Sequence, residues 1–328
     1  MARYLVTGGA GFIGSHLVEA LLARGHAVRV LDDLSTGRAE NLPSDCALVR
    51  GDVADPEAVR RAMHGVAGCF HLAAIASVVR ANEDWLGTNR VNLAGTITVL
   101  DEARRLGGLP VAYASSAAVY GKVDDVAHEA LAPAPLTAYG ADKLGSELHG
   151  RVARLVHGVP TLGLRFFNVY GPRQDPSSQY SGVISIFADA IRSGRPVRIH
   201  GDGQQSRDFI FVADVVAHLL AAMVRLGAGE DEEARGLPAA LPAALNVCTG
   251  QETAVLDLAQ LVGEACGRSP GIMHGPARPG DIPRSVGSPA LATACLGVQA
   301  RVTLREGLKA LLSGSAPLPV TVAGRALA

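Results

Sequence analysis

The sequence predicts an α/β protein in which a doubly wound parallel sheet carries helices on both faces and is followed by a smaller C-terminal α/β lobe. In the first half of the chain, short apolar runs alternate with segments of helical periodicity, which is the pattern of a parallel sheet with right-handed crossovers. A glycine-rich turn joins the first apolar run to the first helical segment. After residue 168 the pattern is less regular and richer in glycine and proline, which indicates a separate lobe.

The elements of the first half follow from the apolar periodicity. Strands are expected at 3–7, 27–32, 47–50, 69–72, 110–115 and 160–166, and helices at 12–24, 56–63, 84–106 and 139–157. In an open parallel sheet, ligands bind outside the carboxyl ends of the strands. Side chains that follow a predicted strand are therefore the first candidates for a functional site.

The turn after the first strand has the features of a dinucleotide-binding loop. Gly8, Gly11 and Gly14 lie between the first apolar run and the helix. Glycines permit a tight turn and let the backbone approach a pyrophosphate, which the N–H groups of the helix N-terminus attract. A second apolar strand ends at Asp32, 18 residues past Gly14, near the spacing expected for an acid that binds the adenosine ribose. Together these features predict a Rossmann-type domain.

The acid at the end of the second strand also indicates which dinucleotide is bound. The carboxylate of Asp32 would repel a 2′-phosphate, and Asp33 adds to that repulsion. Arg29 and Arg38 keep NADP open as an alternative, because a nearby guanidinium accepts phosphate oxygens well. The predicted cofactor is NAD.

A second group of residues predicts proton-transfer chemistry. Tyr139 and Lys143 are four residues apart in a predicted helix, so their side chains share one face. A phenol with a pKa of about 10 is a poor base at neutral pH, and a nearby ammonium is expected to lower that pKa. Ser115 and Ser116 come at the end of a predicted strand, where a hydroxyl can hold a substrate oxygen or share its proton. Without this context, an exposed helix pair would be the plainer interpretation.

The composition excludes several classes of function. A net charge of −1 gives no electrostatic footprint for nucleic acid. No uninterrupted apolar stretch of membrane-spanning length appears, so no membrane partner is expected. The five cysteines are scattered and the ten histidines show no ligand spacing, so neither a metal site nor a disulfide framework is expected. Residues 1–6 enter a strand directly and leave no room for a signal peptide, and a cytoplasmic location is expected.

Several motifs occur together along the chain. They are Thr7-Gly8-x-x-Gly11-x-x-Gly14, Gly51-Asp52-Val53-x-Asp55, His71-Leu72-Ala73-Ala74, Val91-Asn92-x-x-Gly95-Thr96, Ser115-Ser116-x-x-Val119-Tyr120-Gly121, Tyr139-x-x-x-Lys143, Leu164-Arg165-Phe166-Phe167-Asn168-Val169-Tyr170-Gly171-Pro172-Arg173-Gln174 and Gly201-Asp202-Gly203-x-Gln205-x-Arg207-Asp208. On these motifs, residues 2–312 resemble the extended short-chain dehydrogenase/reductase superfamily. Within it, the chain is most similar to the NAD-dependent nucleotide-sugar epimerase/dehydratase family, and in particular to its UDP-sugar 4-epimerases.

This resemblance implies roles for individual residues. The implied catalytic set is Ser116, Tyr139, Lys143 and Ser115, with Ser116 ranked above Ser115. The implied cofactor contacts are Gly8, Gly11, Phe12, Ile13, Gly14, Asp32, Ser35, Asp52, Val53, Leu72, Ala73, Ala74, Asn92, Tyr139, Lys143 and Phe166. The implied substrate contacts are Ser77, Ser116, Asn168, Val183, Val197, His200, Arg207, Arg278, Asp281 and Ser285. A helix cap remains the alternative for Asp52, core packing for Phe166, and a surface cation for the two arginines.

The resemblance also implies a domain organisation. Residues 1–168 would form the NAD-binding domain, to which the chain returns at about 209–226 and 244–248. Residues 169–208 and 249–312 would form the substrate-binding lobe, with a loop at 227–245 and a loose tail at 313–328. A homodimer is expected, paired through the helices near 92–106 and 139–157, although core packing within one chain is the competing explanation of their apolar stripes.

The implied reaction is the 4-epimerisation of a UDP-sugar through a 4-keto intermediate with tightly bound NAD. UDP-glucose and UDP-galactose are the expected pair, with their N-acetyl forms, because the small Ser285 leaves room for an acetamido group. Dehydratases and decarboxylases of the superfamily carry acidic side chains in the catalytic turn, where this chain has Ala117 and Ala118. Both enzymes remain alternatives, as does a non-catalytic NAD-binding regulator.

Overall fold

The structure is a computed structural model that describes residues 1–174, 182–227, 241–277 and 282–313. Its strands are β1 (Arg3–Thr7), β2 (Ala27–Asp32), β3 (Ala47–Arg50), β4 (Gly68–His71), β5 (Val111–Ser116), β6 (Thr161–Phe166), β7 (Asn168–Tyr170), β8 (Val197–His200), β9 (Ser206–Arg207), β10 (Phe209–Phe211), β11 (Ala244–Val247), β12 (Thr253–Ala254), β13 (Ile272–Gly275) and β14 (Arg284–Ser285).

The helices alternate with these strands through the first half of the chain and are interspersed with them in the second. They are α1 (Phe12–Leu22), α2 (Pro56–Met63), α3 (Val78–Glu83), α4 (Trp85–Asn89), α5 (Gly95–Arg105), α6 (Ala138–His157), α7 (Val183–Arg192), α8 (Val212–Gly227), α9 (Val255–Cys266), α10 (Ala290–Leu296) and α11 (Leu304–Ser313). Short 3₁₀ turns occur at Ala39–Asn41 and Ala117–Val119.

A seven-stranded parallel sheet forms the centre of the molecule. Its order is β11-β6-β5-β4-β1-β2-β3, and every neighbouring pair runs parallel. The strand order reverses between β1 and β4, which is where an open α/β sheet leaves a ligand-binding crevice at its carboxyl edge. The predicted doubly wound parallel sheet is confirmed.

Helices cover both faces of this sheet because alternate side chains of each strand point to opposite sides. In β1, Val6 packs with one face's core, which includes residues of α1 and α8, such as Leu17 and Leu219. The neighbouring Leu5 belongs to the core of the other face, with Val59 of α2 and Val99 of α5. None of these side chains has any exposed surface.

Most predicted boundaries lie within two residues of those in the structure, and three segments differ in other ways. The helix expected at 84–106 is interrupted by a π-helical turn, Arg90–Ala94, between α4 and α5. The loop expected at 227–245 is shorter than predicted, because residue 227 ends α8 and residue 244 begins β11, with 228–240 outside the described residues. The tail predicted at 313–328 begins at the last residue of α11, which ends at residue 313. Residues 314–328 are also outside the described residues.

The second half of the chain builds a lobe with its own core and then returns to the sheet. Apolar side chains of α7, β8, α9 and α11 pack together in this lobe. Asp208 ties its segments together, because the buried carboxylate accepts hydrogen bonds from the N–H and hydroxyl of Thr249 (2.9 and 2.7 Å) and from the N–H of Gly250 (2.8 Å). The chain returns to the sheet through α8, which packs on it, and β11, which pairs with β6.

Candidate active site at the carboxyl edge of the sheet

The turn between β1 and α1 has a shape that only glycine permits. Gly8 has a φ of 68°, and a Cβ there would lie 2.7 Å from the backbone nitrogen of Ala73. A Cβ on Gly14 would lie 2.2 Å from the carbonyl oxygen of Gly8. Helix geometry leaves the N–H groups of Phe12 and Ile13 without an intrahelical acceptor, and the first turn of α1 carries no acid. This cradle fits the pyrophosphate of a dinucleotide.

Asp32 lies beside this cradle at the end of β2. Its Oδ2 accepts a hydrogen bond from the N–H of Ala10 and its Oδ1 from the N–H of Leu34, both at 2.9 Å. Burial raises the pKa of Asp32, and the two N–H donors oppose that shift. These contacts fix the carboxylate where the ribose of a dinucleotide would lie.

The residues around Asp32 also bear on the choice between NAD and NADP. Asp33 accepts hydrogen bonds from both the N–H (2.9 Å) and the hydroxyl (2.6 Å) of Ser35, which orders the turn after β2. Arg29 donates to the carbonyl oxygens of Ala62 (2.8 Å) and His64 (2.7 Å) at the end of α2. Its guanidinium is therefore engaged with α2, which leaves Asp32 and Asp33 as a pair of negative charges beside the ribose position.

Asp52 and Val53 follow β3 at the same edge. Asp52 accepts hydrogen bonds from the N–H of Ala54 (2.8 Å) and from the guanidinium of Arg90 (2.5 Å). The helix cap that was the alternative for Asp52 is instead provided by Asp55, which accepts the N–H of Glu57. Val53 is buried, and a Cβ on Gly95 would lie 2.7 Å from its side chain.

The segment after β4 is held on both sides by buried polar groups. The hydroxyl oxygen of Thr7 accepts hydrogen bonds from the N–H groups of Leu72 and Ala73, both at 3.2 Å, and Ala74 follows them. Asn92, in the π-helical turn, accepts from the N–H of Ile75 (2.8 Å) and donates to its carbonyl (3.2 Å). The amide of Asn92 thus holds the loop that lines the crevice.

His71 lies under this loop and is buried between two hydroxyl groups. Its Nδ1 is 2.8 Å from the hydroxyl of Thr7 and its Nε2 is 3.0 Å from that of Thr96. Burial, with a smaller contribution from the charge of Lys143, lowers the pKa of His71 to about 3. The imidazole is therefore neutral at physiological pH and serves as a structural link between β1 and α5.

The phenol and amine predicted to act together lie on one face of α6. The Nζ of Lys143 is 5.8 Å from the centre of the Tyr139 ring and donates a hydrogen bond to the carbonyl of Ala114 (2.9 Å), in β5. Burial lowers the pKa of Lys143 to about 8, and the charge of Asp142 opposes that shift. This places the amine near the carboxyl end of β5.

The electrostatics of Tyr139 differ from the prediction. Burial raises the pKa of the phenol, and a hydrogen bond with Ser116 lowers it only in part. The expectation that the ammonium would lower the Tyr139 pKa in this structure is therefore wrong, because loss of solvation dominates. Ser116 is the residue that favours the phenolate, and its hydroxyl oxygen also accepts the N–H of Ala118 (3.1 Å).

The two serines at the end of β5 have different surroundings. The hydroxyl of Ser115 donates a hydrogen bond of 2.5 Å to Glu147 and is buried. Its proton is thus directed at a carboxylate of α6, whereas Ser116 is paired with Tyr139. The geometry supports Ser116 as the hydroxyl for substrate and assigns Ser115 a supporting contact.

Two residues predicted near the nicotinamide lie at the carboxyl end of β6, the neighbour of β5 in the sheet, and just beyond it. Phe166 ends β6 and is buried as part of the core. Asn168 begins β7, is part-buried, and its N–H donates to the carbonyl of Asp208 (3.0 Å). Phe166 packs in the core with 8% of its surface exposed, so its predicted contact with the cofactor stays a prediction, and Asn168 stands at the boundary with the lobe.

The lobe residues predicted to contact substrate differ in their contacts and in their burial. Arg207 donates to the carbonyls of Ser206 (2.8 Å) and Ile282 (2.9 Å), and His200 contacts the carbonyl of Pro276 (3.2 Å). Val197 is a correction, because it has no exposed surface and packs in the lobe's core, which leaves none of it to touch a nucleotide.

The remaining substrate predictions fall at element ends or beyond the described chain. Ser77 is a buried helix cap whose hydroxyl accepts the N–H of Arg80 (3.0 Å), and Val183 is the first residue of α7. Arg278 and Asp281 lie outside the described residues. Their predicted contacts with the nucleotide stay predictions.

A small cavity adjoins the catalytic turn. Ala117, which follows Ser116, lies on one side, and Ser285 of β14 lies on the other. The full lining is Ala117, Tyr120, Gly121, Val123, Asp125, Ala127, Phe167, Arg284, Ser285 and Val286. β14 pairs in parallel with β9, so that Ser285 is in register with Arg207. The cavity therefore lies between the catalytic turn and the predicted sugar-binding segment.

A buried ionic network beneath this turn was missed by the sequence analysis. We define it as Ser115, Tyr120, Glu147, Arg165 and Asn246. Arg165 donates to both carboxylate oxygens of Glu147, from Nε (2.8 Å) and Nη2 (2.7 Å), and from Nη1 to the Tyr120 hydroxyl (2.8 Å). Tyr120 in turn donates to Asn246 Oδ1 (2.7 Å). The available signal was a charged residue, Arg165, in an otherwise apolar strand.

The described residues contain neither a membrane-spanning helix nor a group of metal ligands. No helix within residues 1–174, 182–227, 241–277 and 282–313 is both long and apolar enough to cross a bilayer. In the same part of the chain, no three His, Cys, Asp or Glu residues are grouped as they would be around a metal ion.

Known proteins show the same motifs and fold. A model of the NAD dependent epimerase/dehydratase family matches residues 4–234. The UDP-glucose 4-epimerase of Mycolicibacterium smegmatis is 38% identical over 314 residues, which cover 93% of this chain and 96% of that protein. The UDP-N-acetyl-alpha-D-glucosaminuronate decarboxylase of Bacillus cytotoxicus is 31% identical over 284 residues, or 84% of this chain and 83% of that protein.

A solved structure extends the similarity to three dimensions. The crystal structure of Thermus thermophilus UDP-glucose 4-epimerase in complex with NAD has a TM-score of 0.84 and 38% identity, and the match covers 95% of this chain and 98% of that chain.

Fold and site together define a dinucleotide-dependent enzyme with a Ser-Tyr-Lys set at the carboxyl edge of a Rossmann-type sheet. The chain belongs to the NAD-dependent epimerase/dehydratase family. Its cofactor is NAD, as the sequence predicted.

Proposed function

We propose that the protein is a UDP-sugar 4-epimerase that interconverts UDP-glucose and UDP-galactose, and their N-acetyl forms. The observation that carries the proposal is the grouping of Ser116, Tyr139 and Lys143 beside a catalytic turn made of Ala117 and Ala118. This set moves a proton on and off one hydroxyl, and the turn offers no second acid or base. Hydride removal and return is the chemistry that such a site supports best.

In the proposed cycle, Tyr139 acts as the phenolate and accepts the proton of the sugar O4 while Ser116 holds that oxygen. The positive charges of Lys143 and of NAD⁺ would favour that phenolate against the burial that raises its pKa. NAD held by the Gly8 and Gly14 cradle and by Asp32 would supply both the hydride acceptor and the hydride donor of the cycle. The ammonium of Lys143, held on the Ala114 carbonyl, adds positive charge near the phenol. After the keto sugar has rotated to present its opposite face, Tyr139 gives the proton back to O4. The reaction is redox-neutral overall.

The keto sugar must rotate to present its opposite face to the cofactor, and this requires that the nucleotide stays anchored. We propose that Arg207 anchors the diphosphate, and its register with Ser285 supports a position beside the sugar-binding segment. A guanidinium suits a diphosphate because its planar fork makes charge-assisted hydrogen bonds to phosphate oxygens. We propose the same role for Arg278, and contact with the nucleotide ribose for Asp281, on the basis of the family motif.

A dehydratase or decarboxylase is the second candidate, and the decarboxylase relative supports keeping it. Among the described residues that line the cavity, the one carboxylate is that of Asp125. Its side chain is 97% exposed and lies 3.9 Å from Arg284, so it is solvated and paired with a cation. That environment is a poor one for an acid or base acting on the sugar. Product analysis separates the candidates, since neither water nor CO₂ is lost in epimerisation, and a non-catalytic regulator would give no turnover.

We also propose that the chain forms a homodimer through α5 and α6. Leu148, Val152 and Leu155 form one exposed stripe on α6, with 55%, 46% and 67% of their surface exposed. Ile97 on the adjoining α5 is also exposed. Exposed apolar surface of this extent commonly marks an interface. Because α6 carries Tyr139 and Lys143, pairing there would also brace the site.

Sedimentation velocity at micromolar concentration is expected to give twice the mass of one chain. Replacing Leu148 and Leu155 by Glu places charges in the interface and is expected to give a monomer. Met273→Glu, at an exposed apolar residue of the lobe, is the matched control and should remain dimeric. A wild-type monomer at that concentration would contradict the proposal.

Tyr139→Phe is expected to lower kcat by about 10²-fold or more, because general acid–base catalysis contributes about 10²–10⁴-fold. NAD should still bind, since the glycine cradle is unchanged. Tyr113→Phe is the control, because the Tyr113 hydroxyl is buried in β5 without a hydrogen-bond partner, and its kcat should stay near wild type. Steady-state epimerase assays and the NAD content of the purified protein test this. Near-normal turnover in Tyr139→Phe would exclude it as the base.

Ser285→Tyr is expected to remove activity on N-acetylated sugars selectively. Ser285 lines the cavity beside Ala117, and overfilling a packed site costs about 1–3 kcal/mol, which is roughly 5- to 150-fold. Relative kcat/KM for UDP-glucose and for UDP-N-acetylglucosamine is the measurement. Ser269→Tyr, on an exposed part of the same lobe, is the control. If both activities fall together or neither changes, Ser285 does not select the substrate.

A further inference from the structure

The buried ionic network begins on the helix that carries the proton-transfer residues. Glu147 lies one helical turn beyond Lys143 and two turns beyond Tyr139 on α6. Its carboxylate is buried and accepts the hydroxyl of Ser115, the residue before Ser116, at 2.5 Å. The two Arg165 donors, at 2.8 and 2.7 Å, attach the same carboxylate to β6. Glu147 thus links α6 to both strands whose ends form the site.

The other end of the network reaches the catalytic turn and then the sugar segment. Tyr120 follows the 3₁₀ turn after Ser116, and its ring lies 4.8 Å from the guanidinium carbon of Arg165. Tyr120 donates to Asn246, and Asn246 Nδ2 donates to the carbonyl of Ala127 (3.0 Å). The N–H of Ala127 donates to the carbonyl of Val286 (2.8 Å), directly after Ser285.

The stability of the fold alone does not explain why an ion pair occupies this buried position. Burying both charges costs solvation, and a pair of apolar side chains of similar volume is often as stable or more stable. The fork geometry between Arg165 and Glu147 is the part that apolar side chains would not reproduce, since it fixes direction as well as distance. A pair of this kind is suited to holding neighbouring groups in one orientation.

We propose that Glu147 and Arg165 are positioning residues that hold Ser116 and its turn in register with Tyr139 and connect that register to the segment around Ser285. This inference rests on the proposed function, because it concerns the geometry of the same proton transfer. Neither residue touches substrate. They act through Ser115 and Tyr120, and the competing explanation is that the pair only stabilises the fold.

The decisive variant is the double substitution Glu147→Leu with Arg165→Met. Removing both charges leaves no unpaired ion in the core, so the fold should survive, whereas removing one alone would leave the other buried and unpaired. We expect kcat for epimerisation to fall about 10- to 100-fold, since a misplacement of about 1 Å can cost about 10²-fold. The Kd for UDP, which reports the lobe, should change by less than about threefold.

Amide hydrogen exchange supplies a readout that does not depend on turnover. Exchange at residues 115–120 should accelerate about tenfold or more in the double variant, while exchange in α7 should not change. The matched control is Arg305→Gln with Glu264→Gln, which removes an exposed ion pair of the lobe and should alter neither kcat nor this exchange. Thermal unfolding and NAD content show whether each variant is folded.

A folded double variant with kcat within about threefold of wild type, or with unchanged exchange at 115–120, would overturn the proposal. Should that variant not fold, Tyr120→Phe and Ser115→Ala each remove a single hydroxyl from the network. A kcat about 3- to 10-fold lower in Tyr120→Phe would support positioning, and wild-type kcat in both would refute it. A wild-type protein that epimerises no UDP-sugar would end the proposed function alone, because exchange still tests the positioning.

Discussion

The common direction of seven strands is the constraint on which the site depends. Because every pair in the sheet is parallel, the carboxyl ends of β1, β2, β4 and β5 meet at one edge. That edge brings the Gly8 cradle, Asp32 and Ser116 together although they are far apart in sequence. Lys143 fastens α6 to it through the carbonyl of Ala114. Together with the Ser115–Glu147 hydrogen bond, this contact fixes the phenol of Tyr139 relative to the strand ends.

Local signals explain why the first half could be predicted from the sequence. The boundaries of β1, β2, β3 and α2 follow apolar runs, glycines and caps that lie within a few residues of each element. Gly14 had to be glycine because a Cβ there would clash with the carbonyl oxygen of Gly8, and the glycine motif already predicted such a tight turn. The amide of Asn92, which the resemblance implied as a cofactor contact, accepts the N–H of Ile75, and the π-helical turn that presents it has no clear sequence signal.

The remaining features depend on packing between distant segments. The raised pKa of Tyr139 follows from burial, which a Tyr-x-x-x-Lys spacing does not report. The resemblance ranked Ser116 above Ser115, but the physical reason, a hydrogen bond from Ser115 to Glu147 32 residues away, is visible only in the fold. Val197 matched a ligand-contacting motif but is enclosed by the lobe's core. Each outcome required the tertiary structure.

In the proposed reaction, one hydride leaves C4 and returns to the same carbon while Tyr139 moves only the O4 proton. UDP-glucose labelled with deuterium at C4 tests this directly when the two epimers are analysed after many turnovers. We predict that deuterium stays at C4 in both epimers, and that unlabelled substrate in heavy water acquires none there. Loss of the label to solvent, or a product that has lost water, would contradict this reaction.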